Sequence, residues 1–366
     1  MIPLSRPYLG ERETELVLEV LRSERLAFGP KIDRFEELFA EAAGAPYAAA
    51  VSSGTAGLHL LCHIAGLGPG DEVITSPISF VATANCFIFE GAVPVFADVD
   101  ARTLNLDPAA VEAAIGERTR AIVAVDMFGY PCELDELRSL ADRHGLALIL
   151  DSCEALGGEY KGAPVGSHGP SAAFGFYPNK QITTGEGGMV TTHSEEQRQL
   201  LVSLRNQGRS YESRWFHHVR LGFNYRLTEL QAALGIAQLE KLDEILELRA
   251  AAAARYGELL ADLDVELPAP DDAEHKRSWF VYVVKLPPGA DRETVTEALK
   301  ADGVEAGHYV PCVHLQPYLR ERYGFAEGLC PVAEETANRT IALPFYTGIE
   351  PGDQERVAEA LASALR

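Results

Sequence analysis

The sequence predicts an α/β protein: a large domain with a mainly parallel mixed sheet flanked by helices, followed by a smaller C-terminal α/β domain. Three observations carry this. Short β-branched runs alternate with helical stretches through the first half of the chain, which means crossover connections and a sheet covered on both faces. One run, Leu146-Ala147-Leu148-Ile149-Leu150, is apolar at consecutive positions, as a central strand buried on both sides should be. A stretch rich in Ala, Leu, Glu and Gln from about Thr228 to Leu260 is broken at Leu263–Pro268, after which strand and helix patterns start again. With 366 residues, 47% of them hydrophobic, there is more apolar chain than one compact core usually absorbs.

In order, the strand-like runs are Tyr47–Val51, Glu72–Thr75, Pro94–Ala97, Thr119–Val125, Ala147–Asp151 and Gly188–Thr192. Helical patterns between them cover Thr55–Ile64, Ser79–Phe89, Pro108–Ile115 and Glu133–His144. Good helix formers dominate Thr228–Leu260. A strand at Trp279–Lys285 and helices at Arg292–Asp302 and Gln354–Leu365 follow. The expected division is residues 1–240 for the large domain with its N-terminal segment, and 241–366 for a linking helix and the small domain.

Composition excludes several classes. No run of eighteen apolar residues occurs, so no membrane-spanning helix is expected. The opening Met1-Ile2-Pro3-Leu4-Ser5-Arg6 lacks the basic stretch and apolar core of a secretion signal, which implies a cytoplasmic protein. Six cysteines are scattered without a Cys-x-x-Cys pair, so neither a zinc site nor a disulfide framework is expected. His59 and His63 have helical ligand spacing but no carboxylate between them, and no metal is expected. A net charge of −22 argues against nucleic acid as a partner.

Four features carry chemistry. Lys180 lies between the aromatic run Phe176-Tyr177 and the glycines of Thr184-Gly185-Glu186-Gly187-Gly188. Apolar neighbours would lower its pKa and free a nucleophilic amine; the plain alternative is an exposed loop lysine. Asp151 ends the buried strand, where ligands of open α/β sheets bind, and could pair with a protonated ring nitrogen; it could equally cap the next turn. Val51-Ser52-Ser53-Gly54-Thr55-Ala56-Gly57 reads as strand, turn and helix N-terminus, a place for a phosphate or a simple cap. Phe80 could stack on a flat ring or belong to the core. Together, a phosphate cradle, an aromatic, a carboxylate and an amine at strand ends are the parts needed to hold pyridoxal 5′-phosphate (PLP).

With these residues in place, the chain resembles the DegT/StrS family of sugar aminotransferases, within the fold-type-I aspartate aminotransferase superfamily. The specific segments are Tyr177-Pro178-Asn179-Lys180 with Thr184-Gly185-Glu186-Gly187-Gly188-Met189, and Gly222-Phe223-Asn224-Tyr225-Arg226-Leu227. Supporting ones are Ile2–Pro7, Phe28-Gly29-Pro30, Ser53–Ala56, Gly68–Val73, Asp98-Val99-Asp100 and Pro331–Glu334. The resemblance implies that Lys180 holds PLP as a Schiff base and Asp151 holds its pyridine nitrogen. It implies that Phe80 stacks on the ring and that Gly54, Thr55 and Ala56 line the phosphate. Asn224 would reach that phosphate from the neighbouring subunit, so a homodimer with sites at its interface is implied.

The implied reaction moves an amino group from L-glutamate, through pyridoxamine phosphate, to a keto group of a nucleotide-linked deoxy sugar. Tyr177, Arg226, His308, Tyr309 and His314 are the candidate substrate contacts. The dehydratase branch of the family has histidine in place of the lysine, so Lys180 points to transamination. Two positions depart from the common pattern. Gly175 stands where many members have a phosphate-binding serine, and Glu154 where Gln or His donates to the cofactor's phenolic oxygen. Glu154 is expected to be protonated in the holoenzyme or turned toward substrate. A cyclitol or other non-nucleotide acceptor, and a silent regulator on the same fold, are the competing readings.

Overall fold

The structure, a computed structural model, describes residues 1–210 and 217–366. The chain opens with α1 (Glu11–Arg22) and α2 (Pro30–Ala43), then alternates β1 (Tyr47–Val51), α3 (Gly54–Ile64), β2 (Glu72–Thr75), α4 (Ala82–Ile88), β3 (Val93–Phe96), α5 (Pro108–Ala114), β4 (Thr119–Val125), α6 (Leu134–His144) and β5 (Ala147–Asp151). A small hairpin, β6 (Glu159–Tyr160) and β7 (Ala163–Pro164), precedes β8 (Ser171–Gly175), β9 (Gly188–Thr192) and α7 (Glu195–Arg205). The remainder is α8 (Glu229–Leu239), α9 (Leu242–Leu259), β10 (His275–Lys276), β11 (Tyr282–Lys285), α10 (Arg292–Ala301), α11 (Pro317–Tyr323), α12 (Pro331–Arg339), β12 (Thr340–Leu343) and α13 (Pro351–Ala364).

The main sheet has seven strands in the order β1-β9-β8-β5-β4-β2-β3. The pairs among β3, β2, β4, β5 and β8 are parallel, and β9 runs antiparallel to both β8 and β1. All strands except β9 therefore deliver their carboxyl ends to one edge. Successive residues alternate between two cores, as the strand period of two requires. Ala49, Val51, Val123, Ala173 and Val190 face one core with α3. Ala48, Ala50, Ile122, Ala124 and Phe174 face the other with α2, α6 and α8.

Most differences from the expected boundaries have local causes. Helix α4 starts at Ala82 rather than Ser79 because Ser76 turns the chain, its hydroxyl accepting from Ile78 N at 3.1 Å. The long helical stretch is two helices, with Lys241 leaving helical φ/ψ between them and pairing with Glu13 at 2.6 Å. Strand β11 starts at Tyr282 rather than Trp279, which sits at φ +43°. In the small unit, β11 and β12 pair antiparallel and pack with α9, α10 and α13 through Tyr256, Val284, Leu299, Ile341, Val357 and Leu361. The start of the chain joins this unit: Ile2 bridges Val304, and Phe345 N donates to Leu4 O. Among the described residues no helix is long and apolar enough to cross a membrane.

Candidate active site

Five strand ends or the loops after them converge at the carboxyl edge of the sheet. Asp151 closes β5 and is 5% exposed. Its carboxylate accepts from Thr83 Oγ1 at 2.6 Å and from Cys153 N at 3.2 Å, and Ser79 Oγ lies 2.5 Å from the Thr83 hydroxyl. A buried carboxylate needs such donors, and here they fix its orientation while leaving lone pairs for a further partner.

After β1 the chain enters α3. Ser53 caps it, accepting from Ala56 N at 3.1 Å, and the first-turn amides of Gly54 and Thr55 have no carbonyl of their own helix to bond. This end is built around glycine. A Cβ on Gly54 would lie 2.6 Å from Cys153 Sγ and 3.3 Å from Gly175 Cα, and one on Gly188 would lie 2.5 Å from the Ser53 carbonyl carbon. A Cβ on Gly175 would meet Cys153 Sγ at 3.4 Å, an ordinary contact, so Cys153 lines the place where a serine side chain would stand and the packing does not require glycine there. Phe80, on the loop after β2, is 65% exposed, which rules out the core.

Lys180 lies in the loop from β8 to β9, its side chain 15% exposed. The aromatic that faces its amine is not a sequence neighbour. Phe176 turns into the core against Phe35 and Phe39, while Tyr177 is exposed. Instead the Lys180 Nζ lies 3.8 Å from the ring centroid of Phe280 and 3.3 Å from Glu154 Oε1. The local expectation, desolvation by flanking aromatics, is thereby corrected: the chain turns Phe176 inward to complete a Phe cluster. The Glu154 carboxyl also accepts from Phe128 N at 2.9 Å. Burial pushes its pKa up, opposed by the Lys180 amine and that amide.

The candidate substrate residues separate into two groups. Tyr309 is near the amine: its ring lies 6.1 Å from Phe280, its hydroxyl accepts from Asn179 Nδ2 at 2.9 Å, and burial with the Glu154 charge raises its pKa. His314 is fully buried, bonded to Glu334 at 3.0 Å and packed on Phe96. It is a packing residue, and its assignment as a substrate contact is withdrawn. The ring nitrogens of His308 face Thr296 at 3.3 Å and Glu293 at 3.5 Å, both on α10, so its ring is engaged by the small unit. Asn224 is exposed on a segment held beside α3 by the bond from Ser52 N to Tyr225 O, 2.9 Å. Arg226 donates to Asn206 Oδ1 at 3.1 Å and stacks over exposed Phe28, with burial and Arg209 lowering its pKa.

Sequence reasoning missed Thr83, Phe280 and Arg249. The last is 2% exposed and donates to Lys180 O at 3.2 Å. A signal existed for it: a single arginine lies on the stripe Ile245, Arg249, Ala252, Tyr256, whose spacing marks the buried face of α9. Thr83 and Phe280 had no local mark.

These residues fit a phosphorylated pyridine: a cradle at the start of α3 with no room for a Cβ on Gly54 or Gly188, a fixed carboxylate, an exposed aromatic and a half-enclosed amine share one edge. The profile of the DegT/DnrJ/EryC1/StrS aminotransferase family matches residues 7–362. The spore coat polysaccharide biosynthesis protein SpsC of Bacillus subtilis is 39% identical, covering 100% of this chain and 97% of its own length. GDP-perosamine synthase of Caulobacter vibrioides is 38% identical over 100% and 98%. DesV of S. venezuelae, solved in complex with a ketimine intermediate, superposes with a TM-score of 0.92 at 34% identity, covering 97% of this chain and 95% of that one. The chain has the fold-type-I architecture of these PLP enzymes and belongs to the DegT/DnrJ/EryC1/StrS family, as a PLP-dependent aminotransferase.

Proposed function

We propose that this enzyme transfers the amino group of L-glutamate to a keto group of a nucleotide-linked deoxy sugar, as a homodimer in the cytoplasm. The observation that carries the reading is the position of Lys180, with its amine between Phe280 and the Glu154 carboxyl on the edge that also presents Asp151 and the α3 N-terminus. PLP held there supplies an electron sink for a carbon that loses a proton. Lys180 is the residue that attaches it and, once released, the base and acid that moves that proton. Asp151, fixed by Thr83, keeps the ring nitrogen protonated. Glu154, protonated, donates to the phenolic oxygen; ionised, it would repel it.

Gly54, Thr55 and Ala56 receive the phosphate on main-chain amides, and Phe80 covers the ring. Asn224, exposed in one chain, serves the partner's phosphate. Tyr177, Arg226, His308 and Tyr309 are the proposed substrate contacts, Arg226 suiting a diphosphate because a guanidinium binds phosphate oxygens in pairs. The nucleotide-sugar acceptor is supported by the name of the relative GDP-perosamine synthase. Free cysteines throughout suit a reducing compartment.

The test is a mass spectrum of products from enzyme, PLP and L-glutamate offered a panel of nucleotide keto-sugars and keto-cyclitols. The reading expects an aminated nucleotide sugar. Amination confined to the cyclitols would refute the acceptor, and no consumption of glutamate would refute the donor.

A further inference from the structure

The least ordinary group near Lys180 is a charge with no counter-charge. Arg249 sits on the buried stripe of α9, and no carboxylate lies within ion-pair distance of it among the described residues. Burial pushes its pKa down to about 10. An apolar side chain would fill this helix position without the desolvation cost of an uncompensated ion. The guanidinium therefore has to be explained by what it bonds.

It bonds three carbonyls from two separate stretches of chain. Nη1 donates to Trp279 O at 3.2 Å and Phe280 O at 3.1 Å, and Nη2 donates to Lys180 O at 3.2 Å. None of these carbonyls receives another main-chain N–H among the described residues. Trp279 stands at φ +43°, an unfavourable conformation for a residue with a side chain, so the turn that aims Phe280 needs outside support. The face of Phe345 lies 5.6 Å from the guanidinium carbon. The planar fork suits this task, and a lysine could not hold three carbonyls in fixed directions.

We propose that Arg249 is a positioning residue for the Lys180 amine: it clamps the lysine's own carbonyl to the Trp279-Phe280 turn and so sets the Phe280 ring against Nζ. The clamp joins the loop from β8 to β9 of the large unit to the lead-in of β11 in the small one. It acts at both ends of the same side-chain contact, the backbone of Lys180 and the backbone of Phe280. When the amine is free, the ring face and the Glu154 carboxyl give it a defined resting place within reach of the reacting carbon. Arg249 itself touches neither substrate nor cofactor. The inference rests on Lys180 being the cofactor lysine.

The experiment compares wild type with Arg249→Met, Arg249→Lys, Phe280→Leu and the Arg249→Met/Phe280→Leu double variant, each loaded with PLP. The first readout is the pH titration of the bound cofactor's visible absorbance. Arg249→Met and Phe280→Leu are expected to move the midpoint in the same direction by about half a pH unit or more. The double variant is expected to move it no further than the larger single change, because the two residues act as one unit. The second readout is the single-turnover reaction with glutamate: the limiting rate falls about tenfold while half-saturation stays within about twofold. Arg249→Lys, with the charge but not the fork, follows Arg249→Met.

Wild-type midpoint and rate in folded Arg249→Met, or additive shifts in the double variant, overturn the clamp. If Arg249→Met does not fold, Phe280→Leu decides, since it leaves all three hydrogen bonds in place; an unchanged midpoint overturns the proposal. Borohydride reduction of the wild type separates the two levels. Failure to label Lys180 sinks the reading of that lysine, whereas a label on Lys180 with unchanged variants sinks only the clamp.

Discussion

Replacing Gly54 by alanine adds one methyl group at the tightest point of the phosphate cradle. That carbon would lie 2.6 Å from Cys153 Sγ and 3.3 Å from Gly175 Cα. Ordinary contacts between heavy atoms fall at about 3.5–4.0 Å, so the overlap with sulfur is on the order of 1 Å. Cys153 cannot easily yield, because its amide holds Asp151 at 3.2 Å and Glu154 follows it directly. Overpacking of this kind costs about 1–3 kcal/mol, and the lost chain entropy of glycine returns about 0.4–1 kcal/mol. A net loss of about 1–2 kcal/mol is expected, divided between stability and cofactor affinity; taken wholly as affinity it is about fivefold to thirtyfold. Urea unfolding of the cofactor-free protein measures the first part and absorbance titration with PLP the second. Cys153→Ala removes the sulfur, so the Gly54→Ala/Cys153→Ala pair should recover most of the loss. Wild-type stability and affinity in Gly54→Ala, or a loss that Cys153→Ala leaves intact, would refute this account of the cradle.

Thr83→Val keeps the shape of the side chain and removes the 2.6 Å hydrogen bond to Asp151. Loss of a bond to a buried charged group should lower stability by about 1.5–3 kcal/mol and weaken PLP binding, read by the same two titrations. The Glu154 carboxyl, raised by burial, contributes stability that is fully present below the ordinary carboxyl value and lost as pH rises through its higher folded value. Glu154→Gln should flatten unfolding free energy against pH in that window, and an unchanged profile would count against burial as the cause. His314→Ala should destabilise by about 2–4 kcal/mol through the cavity it leaves, with the glutamate half-reaction within about twofold of wild type. A selective loss of turnover in a stable His314→Ala protein would restore that histidine to the site.

The sheet was legible because its strands are short runs rich in apolar and β-branched residues and its helices carry ordinary punctuation. Five strands, Tyr47–Val51, Glu72–Thr75, Thr119–Val125, Ala147–Asp151 and Gly188–Thr192, fall on their expected residues. Strand β8 escaped because Ser171-Ala172-Ala173-Phe174-Gly175 is poor in β-branched residues; its place between β5 and β9 comes from pairing on both sides. The split of the long helix escaped because Glu240-Lys241 carries no Gly or Pro to mark it, and the Lys241 pair with Glu13 joins residues far apart in the chain. The same distinction runs through the site. Asp151, Lys180 and Gly54 sit beside local marks, a strand end, a glycine loop and a helix start. Thr83 and Phe280 meet them only through tertiary packing, Arg249 is marked only by its place on the buried stripe of α9, and His314 carries a local mark that the fold assigns to the interior.

The most direct measurement is to incubate the purified protein with PLP, reduce it with borohydride, digest it and locate the added phosphopyridoxyl mass. The account predicts a single labelled peptide carrying the mass on Lys180, and no label in Lys180→Ala. A label on another lysine, or none in a folded wild-type protein, would contradict it.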